Sequence, residues 1–235
     1  MRLMIVLMLL MSMAATAHDA DGNLTVITDY RSRGISQTHG HPALHAQIEY
    51  THDTGAWIGT RMVNVSRDTY VGGRGIENDI YGGYMRDFGN GYRIYVGNYQ
   101  YVYSRAHNTQ NARYDTNEIF TQLRAGAFTL KFYHSLTDYF GLPRSSGTNY
   151  LSLDYYLLLH DNFTFVAHGG YTRIANHSHL NYTDLRIGLA YEIKPITYSA
   201  TIYDNQGGRS FREANTVQGY RAFGRAVVFS ASWAF

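Results

Sequence analysis

Twelve or so segments of this chain alternate in polarity residue by residue, and the connections between them alternate in length. The segments are 22–30, 42–51, 56–65, 76–86, 91–103, 113–125, 128–135, 149–159, 163–173, 182–191, 196–203 and 220–235. Most are close to the ~9–11 residues of a tilted strand crossing a bilayer. A period of two puts successive side chains on opposite faces of a sheet, so each segment offers one face to each of two environments. The short connections are His52 to Gly55, Asp87 to Gly91, Gly126-Ala127, His160 to Asn162 and Glu192 to Pro195, all built on Gly, Asn, Asp or Pro. Long connections lie between them at 31–41, 66–75, 104–112, 136–148, 174–181 and 204–219. Strict short and long alternation with an even strand number predicts an all-β fold, a transmembrane up-and-down antiparallel β-barrel of about 12 strands. A Greek-key sandwich has no reason to alternate in this way.

The last segment shows the pattern most clearly. Val227, Phe229, Ala231, Trp233 and Phe235 share one face, while Ala226, Val228, Ser230, Ser232 and Ala234 share the other. Phe229, Trp233 and Phe235 are assigned to a membrane-assembly strand with aromatics at the lipid interface. Taken alone, this strand also fits an ordinary half-buried C-terminal strand of a soluble sandwich. The amino end argues for export. Met1-Arg2 is basic, Leu3 to Met13 is apolar but short of the ~20 residues of a spanning helix, and Ala15-Thr16-Ala17 is a small-x-small cleavage pattern. Residues 1–17 therefore read as a signal peptide and 18–235 as one outer-membrane barrel of a Gram-negative bacterium.

The composition suits that class. The chain has 22 Tyr, 11 Phe and 23 Gly against 3 Pro, with no long apolar run beyond the signal. It has no Cys, which removes a disulfide framework and leaves a closed hydrogen-bonded ladder to hold an exported domain together. A formal net charge of +2 with scattered basic residues gives no reason to expect nucleic acid. The expected partners are outer-membrane lipid, the barrel-assembly machinery and small polar solutes.

In the clearer strands the charges fall on one side. Glu118, Arg124, Lys131, Asp154, His168, Asp184 and Arg186 are candidate pore-lining residues, opposed by Ile119, Leu123, Leu130, Leu151, Leu153, Leu185 and Ile187 toward lipid. Lys or Arg at the hydrocarbon midplane costs ~2–4 kcal/mol, which explains the sorting. Segments 56–65 and 91–103 resist assignment, because Arg61 shares a face with Trp57 and Val63, and tyrosines oppose Ile94, Val96 and Val102. Mixed charges along the wall can select solutes, or can pair across the interior and plug it. Ion preference stays open.

Other chemistry finds little support. His39, His41 and His45, and His177 with His179, suggest a metal, but their spacing sets no coordination geometry and suits solvated loops. No metal or cofactor is assigned. There is no nucleophile elbow and no H-E-x-x-H, and Val71-Gly-Gly-Arg-Gly75 lacks the ending of a phosphate loop. No catalytic residue is assigned. A rim hydrolase and a closed adhesive barrel remain the alternatives to a channel.

Gly22 to Tyr30, Arg33-Gly-Ile-Ser-Gln-Thr38, Pro42-Ala-Leu44 with Gln47, Tyr50, His52 and Gly55, Asn64-Val65, and Glu77 to Tyr84 resemble the TorF-type family of proteobacterial outer-membrane porins. The likeness is specific over the first third of the chain and one of pattern thereafter. It implies a barrel in the outer membrane with passive transport. Asp29, Tyr30, Arg33, Gly34, Ser36 and Gln37 are expected to form a structured first outer loop. In it Gly34 takes positive φ and the Arg33 guanidinium reaches Asp29.

Overall fold

Twelve antiparallel strands close into one barrel in the computed structural model, which describes residues 19–108 and 111–235. Residues 1–17, expected to be a signal peptide, lie outside the described residues. The strands are β1 (Asp19–Ile27), β2 (Ala43–Thr51), β3 (Ala56–Asn64), β4 (Ile76–Gly89), β5 (Tyr92–Tyr103) and β6 (Thr116–Ala125). They continue with β7 (Phe128–Ser135), β8 (Asn149–His160), β9 (Phe163–Arg173), β10 (Tyr182–Ile193), β11 (Ile196–Gly207) and β12 (Ala226–Ala234). Each pairs with its neighbours in sequence, and β1 closes the ring on β12 with Leu24 opposite Trp233 and Ile27 opposite Ser230. Among the described residues no helix is long and apolar enough to cross a membrane.

The tight turns fall at one end of the barrel and the long connections at the other, as the turn chemistry predicts. Differences arise where long loops keep structure of their own. The segment expected from 113 begins at Thr116, because Arg113 instead bridges His107 inside its loop. The segment expected from 220 begins at Ala226, because Tyr220–Arg221 pairs with Thr216–Val217 in a small ribbon of the last loop. A six-residue helix, Arg209–Ala214, precedes that ribbon and buries Phe211.

The outward face is apolar: Leu151, Leu153, Ile119, Leu123, Leu130, Phe132, Leu185 and Ile187 are all exposed. The two unassigned strands now resolve. On β3 Trp57, Arg61 and Val63 point inward while Ile58 and Met62 are exposed, and on β5 Tyr99, Tyr101 and Tyr103 point inward while Val96 is exposed. Much of the tyrosine load therefore lines the interior. Asn98, Gln100 and Asn117 also face outward, and they satisfy one another. Asn98 Nδ2 donates to Asn117 Oδ1 at 2.9 Å, and Asn117 Nδ2 donates to Gln100 Oε1 at 2.8 Å. That pairing offsets the cost of amides against an apolar medium.

The chain end is held by a backbone exchange, with Gly22 N–H donating to Phe235 O at 2.9 Å and Phe235 N–H to Gly22 O at 3.0 Å. The Phe235 ring lies over Gly22, where an added Cβ would sit 2.5 Å from it, and it packs on Trp233 at 5.0 Å. Phe235→Asp places a charge in this outward aromatic band, so folded, heat-modifiable barrel should fall sharply on gel migration. Normal migration and surface exposure would contradict a role for this residue in assembly.

Candidate functional site

The first long loop turns inward. Directly after β1, the buried Asp29 carboxylate accepts Arg31 Nε at 2.7 Å, Ser36 Oγ at 2.6 Å and Thr38 Oγ1 at 3.0 Å. These bonds shape a small hairpin in which Arg31–Ser32 pairs with Ile35–Ser36. Its tip is Arg33-Gly34, with φ of 46° and 77°, the two left-handed residues that a two-residue primed turn requires. A Cβ on Gly34 would lie 2.8 Å from Asp184 Cβ and 3.2 Å from Asn205 Cβ, so the tip touches the wall at β10 and β11. Gly34 is thus set by both backbone conformation and close approach.

Arg33 departs from expectation. Its guanidinium forms a bidentate pair with Glu118, at 3.1 Å and 2.5 Å, and also donates to the Tyr139 hydroxyl at 3.1 Å. It lies over the Tyr150 ring, 4.4 Å from the centroid. Arg31 takes the Asp29 carboxylate instead, because the turn carries Arg33 away from the hairpin base and toward β6. Glu118 is fully buried and lies almost half a circuit from β1, so the Arg33 pair crosses the lumen.

Beneath the hairpin, β7 to β10 bring together a charged cluster. Asp154, fully buried, accepts Arg186 Nη2 at 2.8 Å and lies 3.1 Å from Lys131 Nζ. His168 bridges this carboxylate through Nδ1 and Asp184 through Nε2, both at 2.8 Å, while Tyr150 donates its hydroxyl to Asp184 at 3.2 Å. Five of the lumen candidates thus meet, with Glu118 beside them through Arg33 and Tyr150. Arg124 stands apart, exposed next to the turn at Gly126.

A second cluster was hidden by the face ambiguity of β3. Arg61 donates to Glu77 Oε1 at 2.8 Å and through Nε to Asp79 Oδ2 at 2.6 Å, both carboxylates being fully buried. Tyr99 donates to Asp79 at 3.1 Å and Tyr30 to Glu77 at 3.3 Å. The signal was present in the sequence: Glu77 and Asp79 share a strand face, which makes the opposite parity of β4 the apolar one. Of the predicted loop residues, Tyr30 ties the hairpin base to the wall through Glu77, while Gln37 accepts the hydroxyl of Tyr70 in the next long loop.

The histidines are spread out. His39 stacks on Tyr220 at 4.8 Å and bonds Thr69 Oγ1 at 2.6 Å, His45 lies on β2, and the His177 and His179 rings are 5.9 Å apart in another loop. No group of three candidate metal ligands occurs among the described residues.

Cavities flank the hairpin. One of about 450 Å³ opens among the long loops, lined by Arg33, Tyr70, Tyr103 and Phe140. Another, about 250 Å³, lies beside the tip between Arg61, Lys131, Asp154 and Arg186. A third, about 310 Å³, lies toward the short turns, with Gln47, Glu49, Trp57 and Gln122 on its wall. The hairpin and its ion pairs therefore cross the lumen between the outer cavity and the one toward the short turns.

The architecture is that of solved porins. The KdgM porin superposes with a TM-score of 0.58 at 8% identity, covering 92% of this chain and 99% of that one. The KdgM porin in complex with disordered oligogalacturonate gives 0.55 at 8% identity, with 92% and 98% covered. The NanC porin gives 0.53 at 12% identity, with 92% and 99% covered. At such identities the likeness is one of fold. No curated protein sequence matches the chain. Residues 11–235 match a family model described as bacterial protein of unknown function (Gcw_chp), and the chain belongs to that family.

Proposed function

We propose that this protein is an outer-membrane channel of the TorF-type porin kind, through which small polar solutes or ions pass by diffusion. In this reading residues 1–17 direct export, 18–235 form the barrel in a Gram-negative outer membrane, and the long loops face outward. The observation that carries it is the sorting of side chains: an apolar exterior encloses charged and hydroxyl-bearing walls with cavities on both sides of a narrow waist. Glu118, Lys131, Asp154, His168, Asp184 and Arg186 line that waist with Arg33 and Arg61. Their role is to hydrate and charge-balance a passing solute, with no covalent step.

The reading is tested by refolding chain 18–235 and recording single-channel current in a planar bilayer under a salt gradient. Discrete steps with a measurable reversal potential are expected. A folded but silent barrel would refute it and favour a closed barrel acting through its outer loops. The Arg33 to Glu118 bridge across the lumen is the observation behind that second reading.

A further inference from the structure

The chamber toward the short turns is built differently from the charged waist. Its wall over β3 to β7 is aromatic: Trp57, Tyr81, Tyr95, Tyr99, Phe120 and Tyr133. Trp57 sits 5.8 Å from Tyr81, 6.4 Å from Tyr95 and 5.9 Å from Phe120, and Phe120 stacks on Tyr133 at 5.3 Å. Inward glycines seat these rings. A Cβ on Gly59 would lie 2.4 Å from the Tyr81 ring, and one on Gly97 would lie 3.0 Å from Phe120. The Tyr81 and Phe120 rings therefore lie close over glycine backbone along the chamber wall.

Simple filling of the barrel does not account for this arrangement, because a cavity of about 310 Å³ remains in front of the rings. That volume falls at the lower end of the ~300–1,000 Å³ of small-molecule sites. Amides complete it. The Gln47 and Gln122 side chains line the chamber and make no hydrogen bond with another described residue, although both are half-buried. Each amide carries donors and an acceptor, the pairing that a sugar hydroxyl needs. Charge narrows the class further. Arg61 is already paired with Glu77 and Asp79, which leaves Glu49 as the carboxylate facing the chamber and disfavours an anionic guest.

We propose that this chamber is a binding subsite for neutral oligosaccharides, taking the C–H face of a hexose on its aromatic wall and its hydroxyls on Gln47, Glu49 and Gln122. The assignment deepens the channel reading and rests on it for the sugar's route through the membrane, while binding itself can be read without conduction.

The chain has 2 Trp, and Trp233 faces outward, so Trp233→Phe leaves Trp57 as the reporter inside the chamber. Folded Trp233→Phe barrel in an amine-oxide detergent is titrated with maltotriose, cellotriose and chitotriose, with trigalacturonate as the charged comparison. A saturable change in Trp57 emission with at least one neutral trisaccharide is expected, weakened on the order of tenfold by adding Gln122→Leu or, separately, Tyr95→Leu. No saturable change with any neutral trisaccharide on a folded barrel overturns the proposal, as does tighter binding of trigalacturonate. Parallel bilayer recordings separate the two readings. Sugar binding to a barrel that never conducts leaves the subsite standing and removes the channel, while conduction without sugar binding does the reverse.

Discussion

Replacing residues 31–36 with Gly-Gly should raise single-channel conductance severalfold. The excision is clean because Gln37 N–H donates to Tyr30 O at 2.8 Å, so the residues to be joined are already adjacent at the hairpin base. It removes the tip that touches Asp184 and Asn205, together with the Arg33 pair that crosses the lumen to Glu118. The cavities above and beside the tip should then merge. The segment removed carries Arg31 and Arg33, while Asp29 and Glu118 remain, so the reversal potential should move toward cation preference. Adding Glu118→Gln should reduce that shift and leave the larger conductance in place. Unchanged conductance in the excised barrel would show that the hairpin is not the constriction. Arg33→Ala is the smaller lesion, expected to alter current noise by freeing the tip, and a variant with unchanged noise and folding would remove Arg33 from that role.

Arg61→Met should destabilise the barrel more than any surface change. Glu77 and Asp79 are fully buried and share this one guanidinium, so its loss leaves two carboxylates uncompensated. Removing one partner of a buried pair costs about 3–5 kcal/mol, because a desolvated charge is left behind. Urea unfolding in lipid vesicles at neutral pH should show a midpoint well below that of the parent. The triple variant Arg61→Met, Glu77→Gln, Asp79→Asn should recover most of the loss, since neutral groups of the same shape no longer need the cation. Equal midpoints for parent and single variant would show that Glu77 and Asp79 do not depend on Arg61.

The strand number and the sorting of turns from loops were legible because they follow from local chemistry. Period-two alternation and Gly, Asn, Asp or Pro at turns act within a few residues of chain. The outward face of β6 to β10 was readable for the same reason: a charge opposite a leucine row leaves one choice of face. Strand β3 hid its face because Arg61, Trp57 and Val63 share it, and an aromatic can face either lipid or lumen. Only the neighbouring strand, which sets Glu77 and Asp79 against Arg61, removes the ambiguity.

The first loop shows where local reading stops. A structured loop and the positive φ of Gly34 were expected, but the destination of Arg33 was not. Asp29 is four residues away in sequence, while Glu118 is 85 residues away and reaches Arg33 only because the barrel closes. By itself, then, the sequence determined an all-β chain of about twelve alternating strands with an apolar face and a polar one, because side-chain period and turn propensity are local. Only the tertiary structure decided which charges meet and that a hairpin crosses the lumen, because those pairings depend on the register and curvature of a closed ring.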